Sequence, residues 1–347
     1  MQVARFHAAG DLRLEEAPEP VPGPGDLVVR VRNCSMCGTD LKIVTHGHHR
    51  IAGPRILGHE IAGQVTETGP GVAGWRPGDR IQVAAATGCG HCRDCAAGAM
   101  NMCPDRRTFG YDFDGGFARY LLVPARVLAV GGVSRIPAEV SFAEASAAEP
   151  LACAVNAQDL AGVGPGDDVA VIGAGPAGCM HARLARARGA GRVFLADLRN
   201  AGRLALATAL VAPDAAIDAG TTDLVDEVLR LTGGRGADVV IVCAASTVAQ
   251  QQALRMTARR SRVSLFAGLP KDSGPVSLDT NLIHYRELHV LGGTGATPAQ
   301  NAAALDLIAT GQVAVADLIT HRFGLADIHA ALDVIKQGTA IKATIEP

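Results

Sequence analysis

The feature that most restricts the fold is Gly173-Ala174-Gly175-Pro176-Ala177-Gly178, set directly after the apolar run 169–172 and directly before an alanine-rich stretch at 176–188. A glycine triplet with this spacing means little alone, but between a strand and a helix it has a mechanical purpose. The first glycine admits the turn, the second lets a pyrophosphate approach the backbone, and the third lets helix and strand pack closely. Exposed N–H groups and the helix dipole then attract phosphate. Asp197 closes the next apolar run, 193–196, where a carboxylate can accept ribose hydroxyls and would repel a 2′-phosphate. NAD is therefore the expected dinucleotide, with NADP as the alternative because Arg199 and Arg203 stand close by. Gly268, Gly293 and Thr294 are expected to line the same site.

Strand-like runs at 169–172, 193–196, 239–242 and 263–266 alternate with helical stretches at 176–188, 202–210 and 248–256. Such alternation predicts a parallel sheet covered on both faces. Ahead of it, short apolar runs (27–31, 61–66, 80–83, 117–123) cut by Gly and Pro predict an irregular β-rich domain. The fold class expected is α/β, with domain bounds of 1–152 completed by 292–347 for the β-rich part and 153–291 for the doubly wound part. With 48% hydrophobic but 3% aromatic residues, Ala, Val, Leu and Ile must fill the interior, which suits helix-on-sheet layers. A formal charge of −2 offers no footprint for nucleic acid or an anionic membrane, so a small molecule is the expected partner. No apolar run reaches membrane-spanning length and the start of the chain lacks a signal-like pattern, so a cytoplasmic location is expected.

Nine cysteines, an odd number, argue against a disulfide framework. Cys89, Cys92, Cys95 and Cys103 read C-x2-C-x2-C-x7-C among glycines, and four thiolates satisfy a tetrahedral zinc with no open position. That site is expected to be structural, with His91 a loop residue outside it. A second set is scattered: Cys37 in Cys-Gly-Thr-Asp, His59 and Glu60 in Gly-His-Glu, and Glu149 in Ala-Glu-Pro. One thiolate, one imidazole and one or two carboxylates would hold a zinc with room for a further ligand, as catalysis requires. Thr39, two residues beyond Cys37, has a hydroxyl able to accept and donate a proton, and His46 is the expected end of that relay ahead of His48 and His49. Asp40 reads as a structural residue that bonds nearby backbone amides.

Together with Pro22-Gly23-Pro24-Gly25, Asp114-Gly115-Gly116-Phe117-Ala118 and Gly292-Gly293, these motifs resemble the zinc-containing medium-chain dehydrogenase/reductase family, in its polyol (sorbitol, L-iditol) and threonine dehydrogenase branch. The resemblance runs over essentially the whole chain. It implies a GroES-like catalytic domain, a Rossmann-like nucleotide domain, two zinc ions per chain and a homo-oligomer, tetramer ahead of dimer. It also implies a catalytic zinc held by Cys37, His59 and a carboxylate, which is Glu60, Glu149 or each in turn during the cycle, with Thr39 in the proton relay. The implied activity is reversible oxidation of a secondary alcohol (polyol, cyclitol or aminocyclitol) to a ketone with hydride transfer to NAD. A threonine dehydrogenase-like or NADP-dependent alcohol dehydrogenase is the alternative.

Two positions depart from relatives. Lys42 stands where several alcohol dehydrogenases carry His, and Gly295-Ala296 stands where sorbitol-type relatives place Arg-Tyr, which weakens the case for sorbitol itself. The run 282–287 is similar to that of bacterial relatives acting on polyols or aminocyclitols, with Arg286 expected to reach the cofactor or a carboxylate. Acidic groups in the loop 111–114 are candidates for the substrate pocket. Outside this class, a zinc-ribbon interaction module would need basic and aromatic clusters that are missing. A zinc-free reductase of activated double bonds would have no use for Cys37, His59 and Glu149.

Overall fold

Parallel strands buried on both faces need continuous apolar runs, and residues of Asp168–Ile172 are buried without exception. A computed structural model describes residues 1–197, 201–270 and 273–347. Its six-stranded sheet runs in the order Ala215–Asp218, Arg192–Asp197, Asp168–Ile172, Ala237–Val242, Thr257–Leu265, His289–Gly292, every neighbouring pair parallel. The chain builds outward from Asp168–Ile172 on one side and then returns to build on the other, so the strand order reverses beside that strand. Ligands of open α/β sheets bind outside the carboxyl ends of strands at such a reversal. Helix Pro176–Ala187 packs on Asp168–Ile172 and Arg192–Asp197, and helix Thr247–Arg255 on Ala237–Val242 and Thr257–Leu265.

The other sheet is built around Leu27–Ser35. This strand pairs antiparallel with Glu60–Thr68 on one side and with both Tyr120–Val123 and Lys342–Glu346 on the other. Its register sets Ser35 opposite Glu60 and also opposite Thr344, which brings the end of the chain beside the Gly-His-Glu segment. Aliphatic side chains and the buried Phe109 and Phe117 fill the core beneath it.

The chain divides into two compact units, Met1–Ala152 with Gly295–Gly311 and Val315–Pro347, and Cys153–Thr294 with Gln312–Ala314. No helix among the described residues is long and apolar enough to cross a membrane. Several strands exceed their apolar runs: Thr257–Leu265 begins well before position 263, because Arg259 and Arg260 project outward from a strand whose other residues are largely buried.

The third glycine of the motif has the role its spacing implies. A Cβ on Gly178 would lie 1.8 Å from the Gly173 carbonyl oxygen, whereas one on Gly175 would meet nothing within 4 Å. Gly178→Ala is therefore expected to lower stability by about 1–3 kcal/mol and Gly175→Ala to leave it nearly unchanged. Thermal unfolding of both variants checks this, and equal midpoints would contradict it.

Candidate metal centre and dinucleotide site

Cys37 ends the stretch that follows strand Leu27–Ser35 and caps helix Gly38–His46. Its backbone N–H donates to Asp40 Oδ2 at 2.8 Å, as the reading of Asp40 anticipated. The other Asp40 oxygen does something the sequence did not reveal: Oδ1 faces His59 Nδ1 at 3.4 Å. His59 and Glu60 lie where strand Glu60–Thr68 begins, both buried. The ligand atoms of Cys37, His59 and Glu60 all lie within 4.8 Å of one another. Glu149 stands outside this set, buried in the first turn of helix Ala148–Ala161.

The set also contains a residue that sequence reasoning missed. Lys342, 2% exposed, donates from Nζ to Glu60 Oε1 at 2.6 Å and to the Met36 carbonyl at 2.9 Å, and it contacts Glu60 Oε2 as well. Burial works against its charge, but Glu60, Cys37 and Glu149 together hold its pKa above the ordinary lysine value. Burial likewise opposes charge on His59, yet Asp40 and Cys37 hold that ring well above its usual range. His59 Nδ1, Asp40 Oδ1 and Glu60 Oε2 are buried without an aligned hydrogen bond. The first two face each other and the third lies against the Lys342 ammonium, so their charges answer one another and the case for a metal rests on the donor set itself. A half-buried thiol converging with a buried imidazole and carboxylate gives donors of the kind zinc takes, and three protein ligands leave a fourth position open.

Thr39 is half-buried in the first turn of helix Gly38–His46, and Lys42 is exposed on it. His46 is exposed in the last turn, and no hydrogen bond or ring contact ties it to Cys37, His59 or Glu60 among the described residues. His48 approaches more closely through Tyr111: the His48 ring meets Tyr111 edge-on at 4.8 Å, and the Tyr111 ring lies 6.5 Å from that of His59. Burial pushes the Tyr111 phenol up to about 12, so it remains a neutral donor. The acidic members of its loop are committed elsewhere. Asp112 accepts from Thr108 N at 2.8 Å and Arg50 Nη2 at 2.5 Å, and Asp114 from Ile56 N and Arg55 Nη1, each at 3.2 Å.

The four-cysteine lobe folds around the short helix Arg93–Ala96. Cys89 and Cys95 sulfurs are 4.0 Å apart and those of Cys92 and Cys103 are 3.7 Å apart, with all four thiols free. Four sulfurs on a tetrahedral zinc at ~2.3 Å would be separated by about 3.8 Å. Hydrogen bonds to the Cys89 sulfur, from the backbone N–H of His91 and then that of Cys92, overcome burial and draw its pKa down to about 6. Burial, joined by the neighbouring sulfurs, pushes Cys95 up to about 11. Such crowded thiols ionise together only around a cation. His91 is exposed, its ring nitrogen against the Cys89 carbonyl at 3.0 Å, and takes no part.

In the second unit, Gly173, Asp197, Gly268, Gly293 and Thr294 all fall at or just beyond the carboxyl ends of parallel strands. Gly175 precedes helix Pro176–Ala187 with no side-chain cap, leaving an open cradle of backbone donors that suits a pyrophosphate. Asp197 is buried, and its Oδ2 takes Ala174 N at 3.3 Å and Arg203 Nε at 3.0 Å. Arg203 thus clamps the carboxylate expected to bind ribose. Arg199 lies outside the described residues. Among the described residues Arg286 reaches neither cofactor segment nor carboxylate but donates to the backbone carbonyls of Arg255 and Thr257, because the end of its helix lies over that turn.

Comparison with known proteins accords with this geometry. Residues 23–132 match the alcohol dehydrogenase GroES-like domain and residues 176–310 the zinc-binding dehydrogenase domain. The chain is 33% identical to the sorbitol dehydrogenase of Halalkalibacterium halodurans over 345 residues, covering 98% of this chain and 97% of that one. This chain belongs to the zinc-containing medium-chain dehydrogenase family. The dehydrogenase is also 35% identical to the L-threonine 3-dehydrogenase of Pyrococcus furiosus over 331 residues, 94% of this chain and 92% of the relative. Among solved structures it is similar to an NADP-bound protein described as a zinc-binding dehydrogenase from Sinorhizobium meliloti, with TM-score 0.89 and 33% identity over 100% of this chain and 99% of that one. The 2R,3R-butanediol dehydrogenase of Bacillus subtilis gives TM-score 0.89 at 28% identity, covering 100% and 99%. The dehydrogenase is accordingly an oxidoreductase of the zinc- and NAD(P)-using kind, with a GroES-like domain and a Rossmann-like sheet.

Lys342 provides a direct test of the buried charge balance. In chelator-treated dehydrogenase, Lys342→Met leaves the Glu60 carboxylate buried without a counter-charge, at an expected cost of about 3 kcal/mol. With zinc present the loss should be smaller, because the cation takes over part of that compensation. Denaturant unfolding with and without zinc measures it, and equal losses in the two states would contradict the assignment of Glu60 as a ligand.

Proposed function

We propose that this dehydrogenase oxidises a secondary alcohol of the polyol class, one whose neighbouring carbon bears a second oxygen or nitrogen, to the corresponding ketone with NAD as acceptor. The observation that carries the reading is the convergence of the half-buried Cys37 with the buried His59 and Glu60, their ligand atoms within 4.8 Å of one another. The substrate class draws support from the relatives named above. Sorbitol, L-threonine and 2R,3R-butanediol are all oxidisable at a secondary carbinol flanked by a carbon carrying a heteroatom. Cyclitols and aminocyclitols share that unit.

A bound zinc supplies the polarisation that brings alcohol ionisation toward neutral pH, and the nicotinamide supplies the hydride acceptor. The chain's own part is to hold and move charge. Cys37, His59 and Glu60 are the ligands; Asp40, facing His59 Nδ1 at 3.4 Å, fixes that ring's orientation, and Lys342 fixes Glu60. Thr39, two residues beyond Cys37, accepts the alcohol proton as its own hydroxyl proton leaves toward solvent. Cys89, Cys92, Cys95 and Cys103 hold a zinc that stabilises their lobe.

The test is NADH formation across sorbitol, L-threonine, 2,3-butanediol, an inositol and 2-propanol. Turnover is expected with at least one of the first four at a kcat/KM well above that for 2-propanol, and Cys37→Ser should lose more than a hundredfold while still binding NAD. Full activity of Cys37→Ser would overturn the reading.

For the dinucleotide, the buried Asp197 carboxylate favours ribose hydroxyls over a phosphate, while its partner Arg203 tempers that preference. Arg203→Ala is expected to lower kcat/KM for NADP about tenfold more than for NAD, as loss of one charge-assisted contact implies. An unchanged NAD to NADP ratio would contradict this.

A further inference from the structure

The loop that carries Tyr111 is over-determined for a simple turn. The backbone N–H groups of Tyr111, Asp112 and Phe113 all converge on the Thr108 carbonyl, and Asp112 Oδ2 returns to Thr108 N. Asp112 also anchors Arg50, whose Nη2 donates in addition to the Arg106 carbonyl at 3.2 Å. So held, the Arg50 guanidinium lies 5.4 Å from the Tyr111 ring centroid, and His48 meets the same ring edge-on at 4.8 Å. His59 lies next to it, centroid to centroid 6.5 Å. The ring is thus fixed by a cation and two imidazoles beside the donor set, but its hydroxyl makes no hydrogen bond to any described residue. A partly buried tyrosine hydroxyl ordinarily finds a partner. Asp112 and Asp114 are engaged in holding the loop, whereas the phenol hydroxyl has no partner among the described residues.

We propose that Tyr111 is the specificity-determining residue for the substrate's second polar group: its hydroxyl hydrogen-bonds the oxygen or nitrogen on the carbon next to the reacting carbinol. A neutral phenol both donates and accepts, so it takes a hydroxyl or an amine, whereas a carboxylate in its place would only accept from a hydroxyl. Arg50 and His48 are positioning residues that set the ring. A hydrogen bond made only by substrates carrying the second group discriminates against analogues lacking it, because the hydroxyl of this half-buried ring then gains no partner from the substrate. This rests on the alcohol-oxidising reading above and adds to it the residue that selects the substrate.

The probes are 2,3-butanediol and 2-butanol, which share a carbon skeleton and differ by one hydroxyl. With zinc-loaded dehydrogenase and NAD, Tyr111→Phe is expected to lower kcat/KM for the diol about tenfold, the loss of one hydrogen bond, and to leave that for 2-butanol within about twofold. The same selective weakening should appear in the dissociation constants of both alcohols from zinc- and NADH-loaded protein, followed by ligand-observed NMR. An equal loss with both alcohols, or no loss with the diol, would overturn the proposal. If neither alcohol is oxidised, the functional reading fails for these substrates, and the ratio of dissociation constants still decides the role of Tyr111.

Discussion

The proposed chemistry depends on charges largely withdrawn from water. Cys37, His59, Glu60, Asp40 and Lys342 occupy one region, and three of the five are almost fully withdrawn from solvent. Isolated, each would cost several kcal/mol to bury in ionised form. Together they form an alternating arrangement: Asp40 against His59, Lys342 against Glu60, and a thiol between, with room in the balance for a divalent cation. The antiparallel register makes that arrangement unavoidable. Once Ser35 faces Glu60 on one side and Thr344 on the other, the lysine two residues before Thr344 is delivered to the carboxylate.

The second requirement is met by a different device in the other unit. A sheet whose strand order reverses beside Asp168–Ile172 gathers the ends of several strands, and glycines there remove the side chains that would block a phosphate. Asp197 and Arg203 place opposite charges where the adenosine ribose is expected. In the proposed reading, cofactor choice is a competition between a carboxylate and a guanidinium, not a matter of the carboxylate alone.

What could be read from the sequence was what local geometry encodes. The four cysteines and the glycine triplet lie within short segments, so spacing alone conveys ligand geometry or turn shape, and the runs at 169–172 and 239–242 are interior strands with no polar alternation to confuse them. Lys342 was invisible for the opposite reason. It is 282 residues from Glu60, and in a closing strand of alternating pattern a lysine reads as solvent-facing. Asp112 and Asp114 read equally well as pocket residues or turn residues, and only their partners, Arg50, Arg55 and backbone amides, show that they hold the loop. His46 and His48 are near neighbours in the sequence, but the helix ends between them, leaving the first in solvent and turning the second onto Tyr111.

The most direct test of the account is anomalous diffraction at the zinc absorption edge from crystals of the purified protein. Two peaks per chain are predicted, one enclosed by Cys89, Cys92, Cys95 and Cys103 and one bounded by Cys37, His59 and Glu60. Density at the four cysteines alone, with Lys342 and Glu60 paired and no metal beside Cys37, would contradict it.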